Sequence, residues 1–306
     1  MVNLRDLQAF LAAAEKGSFS AAGRQLQLSQ PAISQKIDSL ENRFGTKLFW
    51  RRGRSVQLTE TGRMLKPIAQ ELLNASRRLE ETMASLQGEV IGEMNLGCST
   101  ASGKYLLPGM ISDFRRKYPQ VRLNLLETSR ESVLNKLLTG EVAFSVSSEQ
   151  IEHRDIEFQD FFTDEVVLIV SAKHPWTGYA QIYPDDLLDE PLIMREELSG
   201  LPEALLNGLR DYDISPDMLN IGMVVGNAEA TVIAVGEEIG VAFVSRLAAA
   251  RDLELGRVIE VGVAGMRLER EIYMARNTRI PPTRAQTAWW EFVKEYREII
   301  QPIAIR

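Results

Sequence analysis

The sequence predicts an α/β multi-domain protein in three successive parts: an N-terminal winged helix-turn-helix, a long linker helix and a larger C-terminal α/β domain. Three observations predict it. Residues 18–62 read SFSAAGRQLQLSQPAISQKIDSLENRFGTKLFWRRGRSVQLTETG, two short amphipathic segments joined by a polar turn and followed by a basic, glycine-containing hairpin pattern. From Leu65 to Leu86 apolar residues step by threes and fours. Beyond about residue 89, β-like runs alternate with helical patterns. A chain of 306 residues fits two or three domains.

The composition, 45% hydrophobic and 25% charged, is that of a soluble globular protein. No apolar run approaches the roughly 18 residues needed to span a bilayer. The N-terminus, MVNLRDLQAF, has no basic stretch leading into an apolar one, so neither a signal peptide nor a membrane anchor is expected. A single cysteine, Cys98, excludes an internal disulfide framework and points to a reducing cytoplasm. The net charge of −7 is unevenly spread. Residues 1–60 carry nine Lys/Arg against five Asp/Glu, a net +4, whereas the rest carry 26 against 37, a net −11. A basic head on an acidic body suits a chain that touches phosphate with one end only.

In the head, Leu4, Leu7, Leu11 and Ala14 recur at helical spacing beside Phe10, predicting a first helix over 3–16 that ends at Gly17. Ser20 can cap a second helix reaching Leu26, with Gly23 inside it costing about 1 kcal/mol relative to Ala. Ser29 caps a third, with Pro31 in its first turn, where a missing N–H matters little. Ile33, Ile37, Leu40 and Phe44 form its expected buried stripe. Gln30, Ser34, Gln35 and Asp38 face outward, where amides and hydroxyls can meet base edges, and Pro31 and Ala32 can lie against a thymine methyl. Leu48, Phe49, Val56 and Leu58 anchor a two-stranded wing. From it Arg51, Arg52 and Arg54 would project to phosphate or into a minor groove. The order of parts places one helix in the major groove of double-stranded DNA. Ser20, Ser29 and Lys36 complete the expected contact set.

These residues resemble the signature of the LysR-type transcriptional regulators, AxxGSFSxAAxxLxxSQPAxSxxIxxLExxxGxxLFxRxxRxVxLTxxG. Ala14, Gly17 to Ala22, Leu26, Ser29 to Ala32, Ser34, Ile37, Leu40, Glu41, Gly45, Leu48, Phe49, Arg51, Arg54, Val56, Leu58, Thr59 and Gly62 match it over some fifty residues. Two positions depart. Gly23 stands where the family usually has Ala, which would loosen the second helix. Trp50 replaces a commonly polar residue and could pack on the linker or stack near DNA.

Along the linker, Leu65, Ile68, Leu72, Ala75, Leu79, Met83 and Leu86 make a heptad-like stripe, with Glu71, Arg77, Arg78, Glu80 and Glu81 off the seam. Such a stripe packs either on its own domain or on a second copy. The resemblance implies the latter: an antiparallel pairing that sets the spacing of two DNA-reading heads, hence a homodimer and a homotetramer built from dimers. Pro67 should bend or loosen the helix.

In the C-terminal part, strands are expected at 94–98, 121–126, 166–171, 191–194 and 241–244, and helices at 104–118, 132–138 and 228–238, an alternation that argues for parallel sheet. The resemblance implies an effector domain similar to type 2 periplasmic solute-binding proteins, two α/β lobes joined by crossing strands near 162–166 and 268–273. The boundaries expected are 1–58 for the DNA-binding domain, 59–88 for the linker, and 89–306 for the effector domain. Lobe I then takes 89–162 and 268–306, and lobe II takes 163–267.

Ligands of open α/β folds lie outside the carboxyl ends of strands, near helix N-termini. Ser99, Thr100 and Ser102 follow the first strand and either bind an anion or only cap the next helix. Thr128, Ser129, Ser199 and Asn227 occupy the matching turns, although the turn at 195–200 keeps only Arg195, Glu196, Ser199 and Gly200 of the family's RExGSG, and Ala143 replaces an acidic residue common after the family's GEL. The expected effector is a small anionic metabolite, and no cofactor or metal is expected. His153 and His174 lack metal-ligand spacing. Cys98 reads as a buried strand-end residue more than as a redox sensor, and Trp289, Trp290 and Phe292 as packing for the last helix. The function expected is transcription regulation, with RNA polymerase as a further partner and without enzymatic activity. The rival readings are an enzyme tethered to DNA by its head, for which no nucleophile–base pair, metal cluster or phosphate loop is present, and an architectural DNA binder without a ligand.

Overall fold

The computed structural model describes residues 2–53, 55–85, 89–98, 104–128, 130–148, 150–196 and 201–304. The chain divides into two compact units, the first made mainly of residues up to Glu89.

The first unit opens with α1 (Leu4–Lys16), α2 (Phe19–Leu26) and α3 (Gln30–Phe44). Each has an oxygen-bearing N-cap. The side chains of Asn3, Ser18 and Ser29 accept hydrogen bonds from the backbone N–H of Arg5, Ala21 and Ala32. Ser18, not Ser20, therefore caps α2; Ser20 lies exposed in its first turn. Gly17 ends α1 with φ +60°, a conformation that costs glycine little. Gly23 has a packing role that the helix pattern alone does not show. The Leu28 N–H donates to its carbonyl at 2.8 Å, and a Cβ at residue 23 would sit 2.6 Å from the Leu28 oxygen, so the missing side chain closes the turn into α3.

β1 (Phe49–Arg52) and β2 (Ser55–Leu58) form the antiparallel wing, registered Phe49 to Leu58 and Arg52 to Ser55. Leu7, Phe10, Phe19, Ile33, Ile37, Leu40, Leu48 and Phe49 make the core, with the Phe19 and Phe49 rings edge to face at 5.5 Å. Phe44, expected in that stripe, is 41% exposed: it lies in the last turn of α3, beyond the reach of α1 and α2. The long helix α4 (Glu60–Ser85) runs through Pro67, which has no N–H to offer the Arg63 carbonyl.

The second unit is built on β3 (Gly92–Cys98), α5 (Leu107–Lys117), β4 (Val121–Glu127), α6 (Arg130–Leu138), β5 (Phe144–Ser147) and the sixteen-residue β6 (Ile156–Ser171). Then come β7 (Gln181–Ile182), β8 (Leu192–Arg195), α7 (Leu201–Arg210), β9 (Ile221–Val225), α8 (Ala228–Gly236), β10 (Ala242–Ser245), α9 (Arg246–Glu254), β11 (Val258–Val263), β12 (Leu268–Asn277) and α10 (Arg284–Ala304). The alternation predicted parallel sheet, and β3 does pair parallel with β4 and β5, as β8 does with β9. The spine is antiparallel, however. β6 pairs with β12 from Ile156 to Val166, then with β10 and β11 over its C-terminal third. Separate apolar clusters pack at its two ends. One holds Leu96, Phe114, Phe144, Phe161, Trp289 and Trp290, and others hold Leu168, Leu192, Leu205, Phe243 and their neighbours. Trp289 and Trp290 are fully buried packing residues, as expected.

Candidate nucleic-acid interface and effector cleft

The outer face of α3 is an open groove lined by Gln30, Pro31, Ser34, Gln35, Asp38 and residues one turn on. Its inner face carries Ile33, Ile37 and Leu40, none more than 1% exposed, so packing on α1 and α2 leaves the polar side outward. Of the expected contact set, Gln30, Pro31, Ser34 and Gln35 share this face, and Ser29 spends its hydroxyl on the cap. Lys36 does not belong to it. Its ammonium pairs with Asp6 at 3.1 Å, because position 36 falls on the flank of α3 that turns toward α1. Arg51, 46% exposed, already has partners on the α3 face in the free chain. Its Nη2 donates to Asp38 Oδ1 at 2.6 Å and its Nη1 to Ser34 Oγ at 3.4 Å, and the guanidinium lies 5.2 Å over the Phe19 ring. Arg54 and the Arg52 side chain lie outside the described residues. Trp50 is 61% exposed, paired in register with Gln57 on the other side of the hairpin from the core.

Glu41 positions this interface and carried no functional signal in the sequence beyond the motif. Its carboxylate is 3% exposed and accepts from the Leu48 N–H at 2.9 Å, the Phe49 N–H at 3.3 Å and Lys47 Nζ at 2.6 Å, tying the end of α3 to the start of the wing. Thr59 closes the other side: its hydroxyl donates to the Lys47 carbonyl at 2.7 Å and accepts from the Gly62 N–H at 3.0 Å.

The apolar stripe of α4 splits in two. Leu65, expected to face a partner, packs with Ala69 and Leu73 on the core of its own unit. Ile68, Leu72, Leu79 and Met83 are 55%, 46%, 63% and 58% exposed. Leu86 lies outside the described residues.

In the second unit, Ser99, Thr100, Ser102, Ser129 and Ser199 lie outside the described residues. Thr128 follows β4, its N–H donating to the Cys98 carbonyl at 3.0 Å, so β3 and β4 end side by side. Asn227 caps α8, accepting from the Ala230 N–H at 2.8 Å. The Lys104 ammonium, just beyond β3, pairs with the Glu229 carboxylate in the first turn of α8. This pair joins the segment that follows β3 to the start of α8. The hydrogen bond that Lys104 donates to Glu229 raises the Lys104 pKa, and burial raises that of Tyr105 beside it. The buried Arg195 side chain, at the end of β8, is held by both oxygens of Glu196, at 3.0 and 2.8 Å. Nothing in the spacing of Lys104 and Glu229 links two residues so far apart in the chain; only the fold brings them together.

Cys98 is buried, and burial, with Glu127 adding to it, pushes its thiol up to about 11. His174 Nδ1 accepts from the Trp176 N–H and its Nε2 lies 3.5 Å from Glu190, while His153 Nδ1 accepts from the Asp155 N–H. No group of three or more His, Cys, Asp and Glu side chains able to hold a metal occurs among the described residues, and no helix among them is long and apolar enough to cross a membrane.

A helix that keeps its polar face open beside a basic hairpin, continued in one chain by a mixed α/β domain, defines a DNA-binding protein that carries a small-molecule-binding domain. Residues 4–63 match the family described as "Bacterial regulatory helix-turn-helix protein, lysR family", and residues 87–298 match the "LysR substrate binding domain". The chain belongs to the LysR family of DNA-binding transcriptional regulators, which are not enzymes. A "Probable RuBisCO transcriptional regulator" of Cyanidioschyzon merolae is 31% identical over 277 residues, 90% of this chain and 91% of the relative. The "RuBisCO operon transcriptional regulator" of Allochromatium vinosum is 30% identical over 294 residues, 95% of each chain. Full-length CbnR, solved with its target DNA, superposes with a TM-score of 0.74 at 21% identity, over 96% of this chain and 99% of that one, a likeness of fold.

Proposed function

We propose that this regulator reads DNA with the outer face of α3 and is controlled by a small anionic metabolite bound in its C-terminal domain. Gln30, Ser34 and Gln35 discriminate base edges, Pro31 and Ala32 meet thymine methyls, and Arg51, Arg52 and Arg54 supply sequence-independent affinity, with Ser20 and Ser29 near the backbone. The observation that carries this reading is the open polar groove along α3, flanked by the wing. Two heads are paired through Ile68, Leu72, Leu79 and Met83, whose exposure on a single helix calls for a partner, and two such dimers associate. The effector sits where the segment that follows β3 meets the start of α8, beside Thr128 and Asn227, with Lys104 and Arg195 as nearby positive charge. Binding there shifts the population of domain arrangements and thereby the spacing of the heads presented to promoter and RNA polymerase.

Footprinting on the DNA upstream of its own gene, with and without candidate metabolites, tests the reading. A protected pair of half-sites whose spacing or extent changes with a carboxylate or phosphate ligand is expected. Protection of random DNA equal to that of the upstream region would overturn sequence-specific control. A calorimetric response to neutral apolar ligands but to no organic or inorganic anion would overturn the anionic effector.

A further inference from the structure

Within the groove of α3, Asp38 is the one acidic residue among those lining it. It lies at the position where a helix in the major groove continues its contacts: 31, 34, 35 and 38 follow one another at i, i+3, i+4 and i+7 and share one face. A carboxylate there is a liability against phosphate unless something answers its charge. In the free protein Arg51 does so. Arg51 Nη2 donates to Asp38 Oδ1 at 2.6 Å, Ser34 Oγ donates to Asp38 Oδ2 at 3.4 Å, and Arg51 Nη1 donates to Ser34 Oγ at 3.4 Å, so three residues from α3 and the wing close a ring over the groove. Both charged side chains remain partly in water, 43% and 46% exposed, and an ion pair of that kind is weak enough to exchange partners. Among base edges in the major groove, the cytosine N4 amino group is the established donor to an aspartate.

We propose that Asp38 is a specificity-determining residue of the DNA interface, accepting from a cytosine amino group, and that Arg51 shields its carboxylate until DNA is engaged. On the matching sequence Arg51 exchanges Asp38 for a backbone phosphate while the carboxylate takes the N4–H in its place. On a sequence that offers an acceptor at that position the exchange fails, and the ring over the groove stays shut. This rests on the assignment of α3 as the groove-reading helix.

The test enriches a random-sequence duplex DNA library with the full-length chain, wild type and two variants, and compares the enriched sites base by base. Wild type is expected to select cytosine at one position of each half-site. Asp38→Ala should lose that preference, about tenfold or more in relative affinity, and leave the other positions unchanged. Asp38→Asn should move the preference toward adenine, because an amide donates and accepts where a carboxylate only accepts. Nonspecific binding by Asp38→Ala should also depend on salt more steeply, by about one unit of the logarithmic slope, once Arg51 is free for phosphate. Wild type and both variants selecting the same base at every position, with equal salt slopes, would overturn the role of Asp38 and leave α3 as the reader. Wild type selecting no sequence would instead remove the ground from under both. Thermal melting checks folding, and if Asp38→Ala melts early the near-isosteric Asp38→Asn carries the test.

Discussion

Glu41 shows how much a single side chain does in the head. Two backbone N–H groups of the wing, on Leu48 and Phe49, have its carboxylate as their acceptor inside a buried site. Glu41→Ala would strand both, and leaving buried donors unpaired costs about 1–3 kcal/mol each. We expect a loss of roughly 3 kcal/mol in urea unfolding of the full chain, with Glu41→Gln in between because the amide oxygen still accepts. Cys98 gives a second expectation at this scale. With its thiol pushed up to about 11, only about one molecule in a thousand carries the thiolate at pH 8. The native protein should therefore react with a thiol reagent orders of magnitude more slowly than the same protein in urea, and comparable rates would contradict the burial. Both residues were visible in the sequence, but in different ways. The strand-end place of Cys98 could be read from its apolar neighbours. The partners of Glu41 are backbone groups seven and eight residues on, and no side-chain pattern records a main-chain contact.

At the scale of elements, the first two helices of the head and the start of the third are legible in the sequence almost to the residue, because caps and apolar periods agree there: Ser29 before Pro31, and Gly17 after α1. The errors came where two serines compete for one cap, Ser18 against Ser20, and where a period was carried past the neighbours that give it meaning, as at Phe44. The stripe of α4 was legible as a stripe but not as two stripes. Leu65 and Leu72 obey the same spacing, and only the packed fold reveals that one is already covered. This division makes a clean experiment. Leu72→Glu or Leu79→Glu should turn the proposed dimer into monomer in sedimentation equilibrium at micromolar concentration while leaving the melting of the head nearly unchanged. Leu65→Glu should lower that melting directly. A wild-type chain that sediments as a monomer would sink the paired-head proposal.

For the molecule as a whole, the charge partition, +4 on the first sixty residues and −11 on the remainder, was fully legible and predicts behaviour as well as partners. DNA affinity should fall steeply between 50 and 200 mM salt, by about 10³ or more if six phosphates are contacted across a pair of heads, and a flat salt profile would deny the basic head its role. The antiparallel spine was the least legible feature. β6 runs sixteen residues past two different apolar clusters, with polar Gln159, Asp160, Thr163 and Asp164 inside it, so its hydrophobic pattern changes along its length and only its last third reads as a strand. Asp164 is the buried member of that polar stretch, and its carboxylate is answered on both oxygens: Ser245 Oγ donates to it at 2.5 Å and Arg270 Nε and Nη2 at 2.7 and 2.6 Å. Asp164→Ala, which leaves the Arg270 charge without this counterion, should lower stability by about 3–5 kcal/mol in thermal or chemical unfolding. Because β6 and β12 each serve the clusters at both ends, neither half of the C-terminal domain owns its sheet. Melting one half strips the backbone partners from the other, so amide hydrogens along both strands should exchange with solvent together, through one shared opening, with the slowest rate of the domain.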